Sequence, residues 1–174
     1  YIVVPCYNER EALPLSAPLL LDKLSALVGA GLAGAESRIL LVDDGSRDET
    51  WSIIERLHRE DARFLGLRLS RNRGHQRALW AGLEYASAHA DASISIDADL
   101  QDDLAAMDEM MKHFSDGCDV VYGVRSKREK DSFLKRFTAE GYYKVIAAMG
   151  GEVVFNHADY RLLSRRAMQA LMTY

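Results

Sequence analysis

The residues in this chain best suited to chemistry are two carboxylates one residue apart, Asp97 and Asp99. They lie in the stretch Ile94-Ser95-Ile96-Asp97-Ala98-Asp99-Leu100-Gln101-Asp102-Asp103. The apolar run Ala92 to Ile96 reads as a buried strand, and ligands of open α/β sheets sit outside the carboxyl ends of strands. Side chains alternate along extended chain, so Asp97 and Asp99 are predicted to point the same way, with Ala98 turned away. Converging carboxylates repel unless a cation lies between them or they take up protons. An all-oxygen donor set suits a hard divalent ion, Mg²⁺ or Mn²⁺, which often binds substrate phosphates as well. The bland alternative is a solvated acidic loop or a helix cap, since Asp102 and Asp103 precede a helical run and suit its positive end. The position at the end of a buried strand favours the metal.

The elements that must position these acids follow from the apolar patterning. Tyr1 to Val4 is a short β-type run closed by Pro5, with Cys6-Tyr7-Asn8-Glu9 as the loop at its carboxyl end. A helix is predicted from about Glu11 to Val28, its start blurred by Pro14 and Pro18. Arg38 to Val42 is a second strand and ends in Asp43-Asp44-Gly45-Ser46. Ser46 or Asp48 is predicted to cap the next helix, which explains those residues but not Asp43. Phe64 to Leu69 is a third strand, followed by Ser70-Arg71-Asn72-Arg73-Gly74-His75-Gln76 and a helix to about Ala88. Gly74 with Arg71, Arg73 and Arg77 makes an anion-friendly corner at that helix start, although arginines around a helix are usually just solvated. His75 alone reads as a polar surface residue. After the Asp97/Asp99 strand come a helix from about Leu104 to Phe114, a strand from Asp119 to Tyr122, and Gly123-Val124-Arg125. From Arg125 to Arg136 six basic residues stand against two acidic ones. Phe133 to Met149 is an amphipathic, basic and aromatic segment. Such a helix can lie on an anionic membrane surface, or simply pack on a core with its basic face outward. Asp159 to Leu163 is a last β-type run, and Ser164 is predicted to cap a final helix. Strands alternating with helices predict an α/β fold, a Rossmann-like, mostly parallel sheet with helices on both faces.

Size and composition agree with that class. A length of 174 residues fits one domain with a real core. The net charge of -4 and a pI near 5.7 argue against a general nucleic-acid binder. Two cysteines, Cys6 and Cys118, provide neither a disulfide framework nor a zinc pattern. No apolar run approaches the ~20 residues needed to span a bilayer. The chain opens inside a strand without an initiating Met and stops inside a helical pattern. It is therefore expected to be one domain, residues 1–174, cut at both ends, so that any membrane anchor or tail would lie outside it.

No Gly-x-Gly-x-x-Gly or Walker A pattern is present, so a glycine-rich phosphate loop is not expected. Asp43 can accept from the N–H groups of a base or from ribose, and Asp99 can hold a cation that neutralises a diphosphate. The two strand ends together suggest a nucleoside diphosphate laid across the sheet rim.

Four motifs, in this order, are similar to those of family 2 glycosyltransferases of the GT-A fold: Val3-Val4-Pro5-Cys6-Tyr7-Asn8-Glu9, Val42-Asp43-Asp44-Gly45-Ser46-Arg47-Asp48-Glu49-Thr50, Arg71-Asn72-Arg73-Gly74, and Asp97-Ala98-Asp99-Leu100-Gln101-Asp102. Gly123-Val124-Arg125 and Asp159-Tyr160-Arg161-Leu162 resemble the family's polyprenyl-phosphate branch, which contains dolichol-phosphate mannosyltransferases and undecaprenyl-phosphate glucosyltransferases. The resemblance covers nearly the whole chain. It implies that Pro5, Tyr7 and Glu9 line the nucleotide pocket, that Asp43 reads the base, and that Asp97 contacts the ribose or diphosphate. It further implies that Asp99 ligates Mg²⁺ or Mn²⁺ with Gln101 as second ligand. The resemblance also implies that Arg125 and Arg136 receive the acceptor phosphate, that Asp159 stands at the catalytic centre as base or sugar-positioning carboxylate, and that this is a single catalytic domain, residues 1–174, whose membrane helices are missing here.

The activity so implied is inverting, metal-dependent transfer of a hexose from a nucleotide-diphosphate sugar, of the UDP-glucose or GDP-mannose type, to a polyprenyl phosphate. It would take place at the cytoplasmic face of a membrane. A homo-oligomer is compatible with this, and no nucleic-acid partner is expected. A lipid monophosphate has its second pKa near ~6, so it is largely dianionic at neutral pH. Such a nucleophile needs positioning and counter-charge more than a base. With a lipid-linked acceptor, an interfacial role for Phe133 to Met149 becomes the favoured reading. The competing readings are a family 2 transferase acting on a sugar hydroxyl, a nucleotidyltransferase, and a catalytically silent nucleotide-sugar or membrane-surface binding module.

Overall fold

The computed structural model describes residues 1–124 and 157–173. Their elements run β1 (Ile2–Cys6), α1 (Leu13–Gly29), β2 (Ile39–Asp43), α2 (Thr50–Glu60), β3 (Phe64–Arg68), α3 (His75–His89), β4 (Ala92–Ser95), α4 (Ala106–Ser115), β5 (Val120–Val124), β6 (His157–Ser164) and α5 (Arg165–Leu171). Tyr1–Tyr122 with Asp159–Tyr174 make one compact unit, and Gly123–Ala158 make a second. Nearly all of the second unit, including Arg125, Arg136 and the basic-aromatic stretch 133–149, lies outside the described residues.

The sheet has six strands in the order β3-β2-β1-β4-β6-β5. β1, β2 and β3 pair in parallel, as does β1 with β4. The uninterrupted apolar runs Ile2-Val3-Val4 and Ile39-Leu40-Leu41-Val42 are buried on both faces, the signature of strands covered by helices on either side. On one face α3 and α5 pack through Ala78, Leu79, Leu83, Ala86 and Met168 against Val3, Leu40 and Val42. Gly82 makes that approach possible: a Cβ there would lie 2.5 Å from Val3 Cγ1 and 2.9 Å from Val42 Cγ2. α1 and α2 cover the other face, with the side chains of Ile54 and Trp51 directly over Gly66 of β3. α1 is tied to α4 by the Lys23–Asp108 ion pair at 2.7 Å.

The structure departs from the sequence expectation in three places. β1 runs through Pro5 to Cys6 instead of stopping at Val4. Pro5 cannot donate to a ladder, but the β1–β4 pairing covers only Ile2 and Val3, so Pro5 falls where that ladder has already parted. β6 pairs with β4 antiparallel, which simple strand–helix alternation does not foresee. The third concerns the start of α2, where of the two expected caps only Asp48 serves, its Oδ1 accepting from Thr50 N at 3.0 Å, and Ser46 is used elsewhere. Ser164 does cap α5 as expected, its Oγ accepting from Ala167 N at 3.1 Å. Among the described residues no helix is long and apolar enough to cross a membrane.

Candidate active site

The connections after β1 lead to one side of the sheet and those after β4 to the other, so the β1/β4 boundary is a topological switch point, where α/β sheets bind ligands. Because the two strands part after Val3, their continuations open a cleft of about 420 Å³. Pro5, Cys6, Tyr7 and Glu9 line it from β1, Asp97, Ala98 and Asp99 from β4, Gly74, His75 and Ala78 from α3, and Asp159 from β6. Six of the site residues expected from sequence, Pro5, Tyr7, Glu9, Asp97, Asp99 and Asp159, are therefore brought together. Asp97 and Asp99 share this cleft, though not through strand alternation: β4 ends at Ser95, Asp97 to Leu100 form a turn in which Leu100 N donates to Asp97 O at 3.2 Å, and the buried Ala98 lines the cleft as well.

Asp43 is placed differently from expectation. It is fully buried and is not among the lining residues; its neighbour Asp44 is. The turn after β2 folds back so that Asp43 Oδ1 accepts from Ser46 N at 3.0 Å. Gly45 allows this turn: its φ is +66°, and a Cβ there would lie 2.5 Å from the backbone carbon of Arg71. Arg68 Nε, its guanidinium over the Trp51 ring, stands 3.3 Å from Asp43 Oδ2. That approach lacks hydrogen-bond alignment, and Oδ2 has no hydrogen-bond partner among the described residues.

The anion-friendly corner at the start of α3 is also corrected. The anion that occupies it is the protein's own Asp44, which accepts from Arg73 N at 2.7 Å and Gly74 N at 2.8 Å. Loop N–H groups before a helix favour a carboxylate in this way. The first turn of α3 holds a second acid: His75 Nε2 is 3.1 Å from Asp159 Oδ2, and Gln76 Nε2 donates to the same oxygen at 2.9 Å. His75 Nε2 also stands 3.7 Å from Asp97 Oδ1. Asp44, His75 and Gln76 are thus site residues that sequence reasoning passed over. The signal available for them was position, since all three follow the carboxyl ends of parallel strands.

The loop carrying Tyr7 and Glu9 is stitched to the loop before α2. Asn8 sits at φ 57°, a conformation asparagine tolerates better than most residues. Its N–H donates to Ser46 Oγ at 2.9 Å, and its Oδ1 accepts from Arg47 N at 2.9 Å. Glu9 N donates to Thr50 Oγ1 at 2.8 Å. This accounts for Ser46: it braces the loop that carries Tyr7 and Glu9 and does not cap α2.

The cleft is crowded with negative charge. Burial raises the Asp97 carboxyl above its ordinary value; His75 opposes this, while Asp99, Asp159 and Asp102 add to it. Burial likewise raises Glu9, reinforced by Asp99, Asp48 and Asp97. Burial also pushes the Cys6 thiol well up, so Cys6 is a wall and not a nucleophile. A divalent cation fits this donor set, because the carboxylates are all-oxygen ligands whose mutual repulsion it would relieve. Among the described residues no three His, Cys, Asp or Glu side chains converge as a ready-made cage. Gln101 turns its amide nitrogen to Asp99, with Nε2 donating to Oδ2 at 2.7 Å.

A protein of Bacillus subtilis (strain 168) named as an uncharacterized glycosyltransferase, YkoT, is 43% identical over 173 residues, covering 99% of this chain and 51% of that protein. The bactoprenol glucosyl transferase of Shigella phage SfV is 37% identical, covering 97% of this chain and 52% of its own length. The chain thus spans about half the length of the curated relatives it matches. Among solved structures, glucosyl-3-phosphoglycerate synthase from Mycobacterium tuberculosis, crystallised with Mn²⁺, UDP and phosphoglyceric acid, superimposes with a TM-score of 0.62 at 20% identity. It covers 95% of this chain and 55% of that one, a likeness of fold, here the α/β fold of GT-A type. Residues 1–172 match the family described as glycosyl transferase family 2, and the chain belongs to that family.

Proposed function

We propose that the protein containing this chain transfers a hexose from a nucleotide-diphosphate sugar to a polyprenyl phosphate, with inversion, at the cytoplasmic face of a membrane. The observation that carries the reading is the acidic cleft at the β1/β4 switch point, where Glu9, Asp97, Asp99 and Asp159 meet. Such a cleft repels a nucleoside diphosphate unless a cation joins them. The bactoprenol glucosyl transferases among its relatives support the acceptor class.

Pro5, Tyr7 and Glu9 wall the nucleotide side. Asp97 would face the ribose or diphosphate, while Asp43, buried and outside the cleft lining, would act on the base side through the turn it holds at Ser46. Asp99 would hold Mg²⁺ or Mn²⁺, with Gln101 joining by turning its carboxamide oxygen inward. When bound, the ion supplies counter-charge to the departing nucleoside diphosphate. Asp159 orients the sugar or takes a proton. Arg125 and Arg136, outside the described residues, would clamp the acceptor phosphate as bidentate donors.

Two experiments test this. In a thermal-shift screen, UDP- or GDP-sugars are expected to raise Tm only with Mn²⁺ or Mg²⁺ present; a rise equally large in EDTA overturns the metal assignment. In the full-length protein, Arg125→Glu or Arg136→Glu is expected to abolish transfer to lipid phosphate and leave donor binding within about twofold; equal loss of both rejects that division of labour. An acceptor hydroxyl in place of phosphate would show itself in Asp159→Asn, which is far more damaging where a true base is required.

A further inference from the structure

We infer that His75 and Gln76 are positioning residues for Asp159, holding one oxygen of its carboxylate so that the other is presented to the substrate. This rests on the transferase reading above.

Both donors converge on Oδ2, His75 Nε2 at 3.1 Å and Gln76 Nε2 at 2.9 Å. Among the described residues no donor reaches Oδ1. The main chain of Asp159 is held as well, its carbonyl accepting from Ser95 Oγ of β4 at 2.6 Å. One acid on β6 is thus fixed by three side chains from two other elements, 64 to 84 residues away in sequence.

Burial does not demand this. The Asp159 side chain keeps 28% of its exposure, so water could satisfy Oδ2. Ordering a glutamine and a histidine in the first turn of α3 costs side-chain freedom that solvation would not. What the clamp provides is orientation. With Oδ2 committed, the carboxylate plane is set and Oδ1 is the acceptor that no donor among the described residues takes. A neutral imidazole carrying its proton on Nε2, and an amide, are sufficient donors, so the clamp needs no change of charge. His75 also stands between Asp159 and Asp97, 3.7 Å from the latter, and so spaces two acids that would otherwise repel across the cleft.

In displacement at an anomeric carbon, a small misplacement of a positioning group costs on the order of 10²-fold in rate. The test uses the full-length protein with Mn²⁺, UDP-glucose and GDP-mannose in parallel as donors, and undecaprenyl phosphate in detergent micelles as acceptor. His75→Ala and Gln76→Ala are each expected to lower kcat about ten- to hundredfold, with donor KM changed less than about twofold. His75→Gln, which restores a neutral N–H donor, is expected to recover most of the loss. Gln76→Glu, which sets a like charge against Asp159, is expected to be the most harmful. On an Asp159→Asn background, His75→Ala should add nothing further, because residues acting through one group are not additive. Additive losses, or His75→Gln as poor as His75→Ala, overturn the inference.

A second readout separates the clamp from the activity. In protein labelled with ¹⁵N-histidine, the His75 Nε2 resonance is expected to shift in Asp159→Ala, which removes its acceptor, and to stay in place in a distant control such as Asp61→Ala. An unmoved resonance in Asp159→Ala overturns the clamp, while absence of turnover in a wild type whose resonance responds overturns only the transferase reading.

Discussion

Glu9 illustrates how a cleft-lining residue can weigh against the fold that carries it. Burial, and the charges of Asp99, Asp48 and Asp97, raise its carboxyl above the ordinary value of 4.5. A raised carboxyl binds its proton more tightly in the folded state than in the unfolded one. Stability therefore falls as pH rises from the unfolded value through the raised folded one, and above that window the ionised group is a standing burden. Glu9→Gln is expected to raise the Tm of the ligand-free protein at pH 7 by about 1–2 °C, a modest figure because the group is partly solvated. The gain should vanish near pH 3, where both side chains are neutral, and an unchanged Tm at pH 7 refutes this account. Asp97 and Asp99 were legible as a pair from their place just after a buried strand, but a period of two does not bring them together: β4 ends at Ser95, and a turn from Asp97 to Leu100 sets both at the cleft. Asp43 and Asp44 were not separable in the same way. A tight turn at Gly45 decides which carboxylate turns under the sheet and which meets the α3 loop, and that turn depends on contact with Arg71, distant in sequence.

At the scale of elements, α3 is the piece on which the site is assembled. Its inner face, Ala78, Leu79, Gly82, Leu83 and Ala86, seats it on β1 and β2, and its first turn then reaches Asp159 while the loop before it reaches Asp44. Gly82→Ala is expected to destabilise the protein by about 1–3 kcal/mol, since the new methyl overlaps Val3 and Val42 in a packed layer. That loss would appear as a lower midpoint in chemical denaturation and, because α3 must move outward, as a larger fall in activity than an equally destabilising change in α2. Equal falls from both rule out α3 as the reference for the cleft. The helix and its inner face were readable from periodicity. Its relation to β6 was not, because the antiparallel return of β6 beside β4 leaves no mark in local patterning.

Over the molecule as a whole, a chain of net charge -4 gathers Glu9, Asp44, Asp97, Asp99 and Asp159 at one cleft. Partly buried charges of one sign are little screened by salt, so a diphosphate meets a repulsive field there without a divalent ion. Removing divalent ions with EDTA is expected to weaken UDP or GDP binding at least tenfold by calorimetry, with 0.5 M NaCl recovering little of the loss. Recovery by NaCl alone would mean that general screening, and not a bound ion, controls the site.

Strand and helix order, the acidic strand ends and the family follow from residue types and their spacing, because burial and alternation act over a few residues at a time. Which of two neighbouring acids faces the cleft, that Asp44 fills the anion corner of α3, and that Asp159 rests on His75 and Gln76 were settled only by tertiary packing. Those contacts join segments dozens of residues apart, and their geometry depends on how closely α3 lies on β1 and where β1 and β4 part, quantities that no local pattern encodes.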